Sequence, residues 1–433
     1  MKNLDKMFKL TERKTNVRTE IIAGVTTFLA MAYILAVNPY FLSQAKMDYG
    51  AVFTATALAS AIATLVMAFV ANLPFALAPG MGLNAFFAFV VCGAMGHTWQ
   101  FALTAILVEG IIFIILTFAN IREAIVNSIP KNLKNAISVG IGLFIAFIGM
   151  KNGGVIVSNP DTFVGLGDVT SGMALVTVIG LVITAVLLAY KVKGALLFGI
   201  IITTLIAAVG GLAPYNPNNL TYAPQSLAPT FFKFEFTEVF TLDFLIVVFT
   251  FLFVDMFDTV GTLIGCATKA NMVQEDGSIP NCKEALLADS IGTTVGAILG
   301  TSTVTTYVES SAGVTEGGRT GLTALTVAVL FLVSLFLAPL FSSIPTCGTA
   351  PALILVGFMM ITPIKNIDFE DPTEGIPAFL CLITMVLSYS ISDGIMFGIV
   401  SWVLLKLFSN KVKEIKLVTW IIAILFLIKF IVG

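Results

Sequence analysis

Residues 78–87 read APGMGLNAFF, residues 301–315 read TSTVTTYVESSAGVT, and these two stretches decide the predicted fold. Each is an apolar segment that is interrupted in its middle, the first by Pro79 and two glycines and the second by a Ser/Thr-rich run with Glu309. Broken backbone at membrane depth is tolerated only where it is buried in protein or lines a cavity. Two such breaks at corresponding positions of two halves are typical of a transporter and point to its substrate site.

The composition excludes an ordinary soluble protein. Of the 433 residues, 58% are hydrophobic and only 11% are charged, whereas a soluble domain averages about 25% charged residues. The mean hydropathy is +1.00. The net charge of −2 offers no basic surface for nucleic acid. The five cysteines are scattered and His97 is the one histidine, so neither a disulfide framework nor a metal site is expected, and His97 is expected to be solvated in a loop.

Apolar runs predict an all-α polytopic membrane protein with fourteen segments. Segments 76–95 and 301–315 are the interrupted third and tenth spans. The other twelve runs are 20–42, 50–72, 98–119, 134–150, 171–190, 194–212, 243–266, 284–300, 320–342, 348–363, 374–391 and 394–408. The last apolar run, 417–433, is either a fifteenth span or a tail helix that lies on the membrane.

The Lys and Arg residues orient these spans. With the N-terminus inside, 19 of the 23 lie on the inner side, Arg122 among them; Lys46, Lys151 and Lys233 lie outside and Lys429 lies in the tail. Omitting either interrupted segment would invert every later loop and destroy this bias. We therefore expect a multi-pass plasma-membrane protein whose N-terminus and loop after span 14 are cytoplasmic.

The two halves of the chain are alike. TFLAMA at 27–32 resembles TFLFVD at 250–255, and Asn84 and Glu309 take matching places in the broken segments, 225 residues apart. Further along, LFGI at 197–200 resembles MFGI at 396–399. Seven spans is an odd number, so two seven-span repeats must be inverted relative to each other.

Charged side chains inside spans are costly and usually functional. Asp255 and Asp258 are three residues apart, which places both carboxylates on one face of span 8. Glu309 lies in broken span 10, and Asn84 follows the break in span 3, near a helix N-terminus. Asp289 is expected to support the site from behind these side chains. The half-helices of the two broken spans are expected to aim backbone N–H groups at one central point.

Two further features, Glu109 and residues 313–320, are interpreted as structural and not as parts of a site. Glu109 has no motif around it and is interpreted as structural. Residues 313–320, GVTEGGRT, approach a phosphate-binding loop but have Arg for Lys and no α/β context, so a glycine-rich turn after the half-helix is the better interpretation.

The stretches APGMGLNAFF (78–87), FVDMFDTVGTLIG (253–265) and TSTVTTYVESSAGVTEGGRTGLTA (301–324) together resemble the AzgA-like purine permeases, a branch of the nucleobase–ascorbate transporter superfamily with the UraA-type fold. The resemblance covers essentially the whole chain. The Gln-His pair that uracil and xanthine members carry in span 1 is absent here, where span 1 reads MAYI at 31–34. This departure favours the purine branch over uracil, xanthine or ascorbate carriers.

The resemblance implies a domain organisation. Spans 1–4 (20–119) and 8–11 (243–342) would form a core domain, and spans 5–7 (120–212) and 12–14 (343–408) a gate domain. Segment 1–19 would be cytoplasmic, 213–242 an extracellular loop, and 409–433 a basic segment with an apolar tail. Spans 3 and 10 would each be a short strand followed by a half-helix.

The resemblance also implies site residues. Asp255 and Glu309 would contact the purine, together with Asn84, Ser310 and Gly82. Asp258, Asp255 and Glu309 are the candidates for carrying a proton.

The expected function is proton-coupled uptake of purine nucleobases, hypoxanthine or guanine first, by alternating access and without a cofactor. Several alternatives stay open. An adenine permease belongs to the same family, sodium is an alternative coupling ion, and the apolar gate spans leave a homodimer open. An anion carrier of the sulfate or bicarbonate type would want a cation at the breaks, where two carboxylates stand instead. A channel would require repeated rings of charged side chains along a pore, whereas the carboxylates here are isolated. A membrane enzyme would need a nucleophile or a set of metal ligands that the sequence does not show.

Overall fold

The computed structural model describes residues 2–119, 130–212, 223–272 and 279–432. Arg122 and residues 213–222 of the predicted extracellular loop lie outside these ranges. After an N-terminal helix, Lys2–Phe8, the first half holds spans 1–7. Their elements are Val17–Met31 and Ile34–Gln44 (span 1), Tyr49–Val66 and Met67–Ala71 (span 2), Leu77–Pro79, Met81–Ala85 and Phe86–Ala94 (span 3), Trp99–Phe118 (span 4), Lys131–Asn152 (span 5), Gly172–Ala189 (span 6) and Ala195–Val209 (span 7).

The second half holds spans 8–14 and a tail helix. Their elements are Leu242–Lys269 (span 8), Cys282–Leu299 (span 9), Val304–Thr306 and Ser310–Thr315 (span 10), Gly321–Ser334, Leu335–Leu337 and Ala338–Ser342 (span 11), Thr346–Met360 (span 12), Pro372–Leu387 (span 13), Ile391–Phe408 (span 14) and Leu417–Val432 (tail). Short 3₁₀ turns, Thr362–Asn366 and Val412–Glu414, follow spans 12 and 14.

Polar residues in the connecting loops start several spans. The side chains of Asp48, Thr98 and Asp371 each accept a hydrogen bond from a backbone N–H in the first turn of spans 2, 4 and 13. These caps satisfy N–H groups that have no partner within the helix. They fix where each span leaves the loop.

In the part of the chain that the structure describes, four strands form two small sheets. Strands β2 (Ile156–Asn159) and β3 (Phe163–Leu166) make an antiparallel hairpin between spans 5 and 6. Strand β1 (Leu77–Pro79) of span 3 pairs with strand β4 (Val304–Thr306) of span 10, also antiparallel. The β1–β4 pair brings both broken spans to one point, which is buried on both strands.

Small residues allow close helix packing where spans 5 and 12 cross. A Cβ added at Gly142 would lie 2.8 Å from the Gly357 carbonyl oxygen, and a Cβ at Gly357 would lie 2.7 Å from the Ala146 side chain. Helices in membranes associate through such close contacts because lipid provides no hydrophobic drive between them. Neither glycine therefore accepts a side chain without separating the two helices.

The predicted fold class is confirmed. Among the described residues, eight helices are long and apolar enough to cross a membrane by themselves, and shorter or broken elements fill the other predicted spans. The predicted short strands in spans 3 and 10 are present as β1 and β4. The tail is helical and packs on span 14, and its Phe426 ring meets Phe249 of span 8 edge-on at 5.6 Å. The inverted relationship of the halves and the core and gate domains stay predictions.

Candidate functional site

The candidate site lies around the β1–β4 pair. Backbone bonds extend this pair at both ends: the Gly80 N–H donates to the Thr303 carbonyl (3.0 Å) and the Tyr307 N–H to the Ala76 carbonyl (2.9 Å). The Ala76 N–H donates to the Ser310 hydroxyl (3.0 Å). The polar backbone of both breaks is thereby satisfied within the protein. The predicted site residue Ser310 serves this junction through its hydroxyl.

Glu309 stands directly before the half-helix of span 10 and is only 7% exposed. Its Oε1 accepts a hydrogen bond from the Tyr33 hydroxyl of span 1 at 2.7 Å. The N–H groups of Ser310 and Ser311 donate to the Tyr307 and Val308 carbonyls. These two N–H groups are therefore already bonded, contrary to the expectation that the start of this half-helix aims its N–H groups at the centre of the site. The Glu309 carboxylate is the group that this segment can offer to a ligand.

Asp255 and Asp289 meet at one hydroxyl. Thr259 Oγ1 lies 3.1 Å from Asp255 Oδ1 in span 8 and 2.7 Å from Asp289 Oδ1 in span 9, and all three residues are fully buried. A hydroxyl has one proton to donate, so Thr259 donates to one carboxyl at a time. Thr259 thus links Asp289 to Asp255, and the supporting role of Asp289 stays a prediction.

Asp258 faces the strand of span 10. Its Oδ2 lies 3.5 Å from the Thr305 hydroxyl of β4, and the residue is partly exposed, unlike Asp255. Asp258 and Glu309 therefore both lie next to β4, and Asp255, three residues before Asp258 in span 8, is linked to Asp289 through Thr259.

Asn84 belongs to a buried polar network rather than to a helix cap. The half-helix of span 3 begins at Met81, so Asn84 lies near its N-terminus, but Asn84 is not the cap, because its N–H already donates to the Gly80 carbonyl (2.8 Å). Its Oδ1 accepts from the Ser302 hydroxyl. Its Nδ2 is buried and has no hydrogen-bond partner among the described residues. Asn84 therefore has a donor to offer a ligand.

Asn38 of span 1 ties this network to the neighbouring spans. Its Nδ2 donates to the Thr56 hydroxyl (2.7 Å) and to the Thr301 hydroxyl (2.8 Å), and its Oδ1 lies 3.4 Å from Ser302 Oγ. Spans 1, 2, 3 and 10 are thus joined by side chains that are all fully buried. The network fixes the segment that precedes β4.

Gly82 marks the contact of span 3 with span 5. A Cβ at Gly82 would lie 2.7 Å from Ile141 Cγ2. Gly82 is therefore a packing position beside the site, since no room for a side chain exists there. Glu109 of span 4 accepts from the Thr303 hydroxyl at 2.8 Å, which agrees with its structural interpretation.

His97 is not the solvated histidine that the sequence predicted. Its ring stacks on Phe101 at 4.0 Å, and its nitrogens lie 3.4 Å from Glu238 Oε2 and 3.6 Å from Asp243 Oδ2. The side chain is 17% exposed. The two carboxylates lie near the start of span 8, which no local signal around His97 reveals.

Sequence reasoning missed the partners of the carboxylates: Tyr33, Thr259, Ser302 and Thr305. One signal existed for Tyr33, because Pro39 predicts a break in span 1 one to two turns away. Hydroxyl residues are too common in spans for the others to stand out.

Among the described residues, no group of three or more His, Cys, Asp or Glu has an arrangement that could hold a metal ion.

The arrangement suits a neutral, planar ligand with N–H donors. Buried carboxylates accept such donors strongly, and the Asn84 amide can donate to an acceptor. An anion would be repelled by three carboxyl groups in low dielectric.

Comparison with known proteins places the chain among transporters. Residues 18–397 match the family model Xan_ur_permease, described as a permease family. The adenine permease AdeP of Escherichia coli (strain K12) is 43% identical over 99% of this chain and 96% of its own. The guanine/hypoxanthine permease PbuG of Bacillus subtilis (strain 168) is 43% identical over 98% of both chains. The transmembrane domain of the cyanobacterial bicarbonate transporter BicA has the same fold, with a TM-score of 0.66 at 15% identity over 88% of this chain and 97% of that domain.

Proposed function

This chain belongs to the Xan_ur_permease family, and from that premise we propose that it takes up purine nucleobases across the cell membrane, with a proton as the coupling ion. It is a multi-pass membrane permease rather than an enzyme. The observation that carries the proposal is the placement of Asp258 and Glu309 next to strand β4, with Asp255 of the same span linked to Asp289 through Thr259.

A purine offers what this site can bind. Hypoxanthine and guanine are planar and neutral and carry ring N–H groups next to a carbonyl. Glu309 and Asp255 accept from N–H groups, and Asn84 Nδ2 donates to a carbonyl or ring nitrogen. A site built from buried polar groups rejects analogues that leave those groups unpaired.

The same carboxylates supply a place for a proton. Charge in low dielectric is costly, and coupled carboxyl groups share their protons rather than titrate separately. A proton and a purine loaded from outside would lower the negative charge of the carboxyl cluster by one before the core domain moves against the gate domain. Both would leave on the cytoplasmic side. Asp258 is our preferred proton carrier because it is partly exposed.

The relatives leave the preferred purine open, since an adenine permease and a guanine/hypoxanthine permease are equally similar to this chain. We put hypoxanthine and guanine first, because each presents a ring N–H and a carbonyl side by side to a carboxylate and an amide donor. Adenine, with an exocyclic amino group in place of the carbonyl, is the alternative.

The test is uptake of labelled hypoxanthine, guanine, adenine and uracil into cells that lack their own purine permeases, at two external pH values. Saturable purine uptake that collapses with a protonophore is the expected result, and competition among the bases names the substrate. Uptake that follows a sodium gradient instead would refute the proton as the coupling ion. A correctly inserted protein that takes up no purine would refute the substrate class and make bicarbonate and sulfate flux the next measurements. Fusion of a topology reporter to the N-terminus and to residue 410 checks the cytoplasmic orientation.

A further inference from the structure

We propose that Tyr33 is a positioning residue for transport: its hydroxyl holds one oxygen of Glu309 so that the other oxygen is left for the purine and the proton. The inference rests on the proposed function. It adds a residue of span 1 to a site whose expected members lie on spans 3, 8 and 10.

The backbone of span 1 is broken where Tyr33 stands. One helix ends at Met31 and the next begins at Ile34. The Tyr33 carbonyl accepts from both the Ala36 N–H and the Val37 N–H, each at 3.0 Å. Pro39 has no N–H to donate to the Leu35 carbonyl, which weakens the turn that follows this interruption. Tyr33 therefore lies at an interruption of the span 1 helix, and its ring is buried, with 1% exposed.

The contact of Tyr33 with Glu309 is a hydrogen bond to the carboxyl group that we assign to the purine and the proton, and not a packing contact. The hydroxyl oxygen is 2.7 Å from Glu309 Oε1. A phenol has one proton to donate, and a bond to an ionised carboxylate is about twice as strong as one between neutral groups. A proton on Oε1 would compete with the tyrosine for that oxygen. Proton and purine N–H are thereby directed to Oε2.

Tyr307 provides a comparison within the same site. It is 5% exposed and stands two residues before Glu309, but its hydroxyl donates to the Pro79 carbonyl of β1. Removing this hydroxyl disturbs the strand pair without touching the carboxylate. The two tyrosines therefore separate an effect on Glu309 from the general effect of losing a buried phenol hydroxyl.

The test compares Tyr33→Phe with Tyr307→Phe in the uptake assay across pH 5 to 8. For Tyr33→Phe we expect KM for the purine to rise about tenfold with the maximal rate nearly kept, the size of one lost charge-assisted bond. We also expect the pH of half-maximal uptake to move by about one unit, since the ionised carboxylate loses a donor. Tyr307→Phe is expected to lower the maximal rate and to leave that pH in place. Unchanged KM and pH dependence in Tyr33→Phe, or equal shifts in both variants, would overturn the inference.

A binding measurement still tests the inference if the variants transport poorly. Purified protein is titrated with hypoxanthine and the rise in melting temperature gives Kd. Tyr33→Phe should raise Kd about tenfold in the wild-type background and change it little in the Glu309→Gln background, because the tyrosine acts through that carboxylate. Equal losses in both backgrounds would mean a structural role only. Absence of any purine uptake by the wild type would instead refute the proposed function.

Discussion

Gly82→Ala tests whether the half-helix of span 3 is held against span 5 by atomic fit. The added Cβ would lie 2.7 Å from Ile141 Cγ2, while the other nearby Ile141 atoms are 3.9 Å away. Carbon atoms normally approach to about 3.5–4.0 Å. One methyl group thus causes the whole conflict, and spans 3 and 5 must separate by about 1 Å to relieve it.

The cost follows from this overlap. Overpacking of this kind destabilises by about 1–3 kcal/mol. Asn84 stands on the same half-helix, so the displacement also moves its free donor relative to the carboxylates. We expect a lower melting temperature and a KM for purine raised about tenfold, since a positioning error of about 1 Å is costly at a binding site.

Ile141→Leu is the matched partner. Leucine keeps the volume but lacks the β-branched methyl, and such a swap costs less than about 1.5 kcal/mol. The Gly82→Ala/Ile141→Leu double variant should therefore recover most of the melting temperature and KM that Gly82→Ala loses. Melting of purified protein and initial uptake rates are measured for the two single variants and the double variant. Additive losses in the double variant would refute the reasoning, as would wild-type behaviour of Gly82→Ala.

Three further predictions concern the site and a surface cap. Asp255→Asn and Glu309→Gln should each reduce purine uptake by orders of magnitude while surface labelling shows normal insertion; normal uptake by both would contradict the site. Asn38→Leu should lower the melting temperature strongly, because buried partners lose their bonds at about 1–3 kcal/mol each, and Asn38→Asp should restore only part of it. Hydrogen bonds from Lys411 and Thr373 hold the pKa of Asp371 below its usual range. This cap therefore stabilises span 13 above about pH 4 and ceases to do so as acid protonates Asp371. Asp371→Asn should flatten the acid side of a plot of melting temperature against pH, and an unchanged acid side would show that the cap contributes nothing.

The membrane spans could be predicted from the sequence because each depends on a local property. Apolar length and the Lys/Arg distribution decide where the chain crosses and in which direction. The breaks in spans 3 and 10 were also visible, since Pro79 and the Ser/Thr run contradict a continuous apolar helix. That each break contains a short strand followed from the family resemblance, but the pairing of the two strands was not predicted, because Leu77 and its partner Thr306 are more than 200 residues apart in the sequence.

The carboxylates of the site could be predicted for a related reason. An acidic group in a membrane span is costly and usually functional, and the motifs around Asp255, Asp258 and Glu309 selected these three, whereas Glu109 has no motif around it. Their partners carry no such mark. Tyr33 and Thr259 are uncharged residues within spans, and only the three-dimensional packing brings each one to a carboxylate.

His97 illustrates the opposite error. A histidine between two predicted spans is most simply assigned to a solvated loop, because nothing nearby in sequence can bind it. Its partners, Glu238 and Asp243, are about 140 residues away and reach it only because the start of span 8 lies beside span 4 in the fold. Contacts of this range depend on the fold and not on local composition.

The fold and the substrate are decided by different parts of the sequence. A protein with 15% identity and an anion as its named substrate shares this architecture, so the breaks themselves do not select a nucleobase. In the proposed site they decide where a ligand is bound, because their polar backbone is buried in protein and does not face lipid. The side chains placed at that point decide what is bound. Carboxylates that Tyr33, Thr259 and Thr305 contact accept N–H donors and repel anions, so a change of substrate class on this fold would require replacing those carboxyl groups rather than altering the spans that carry them.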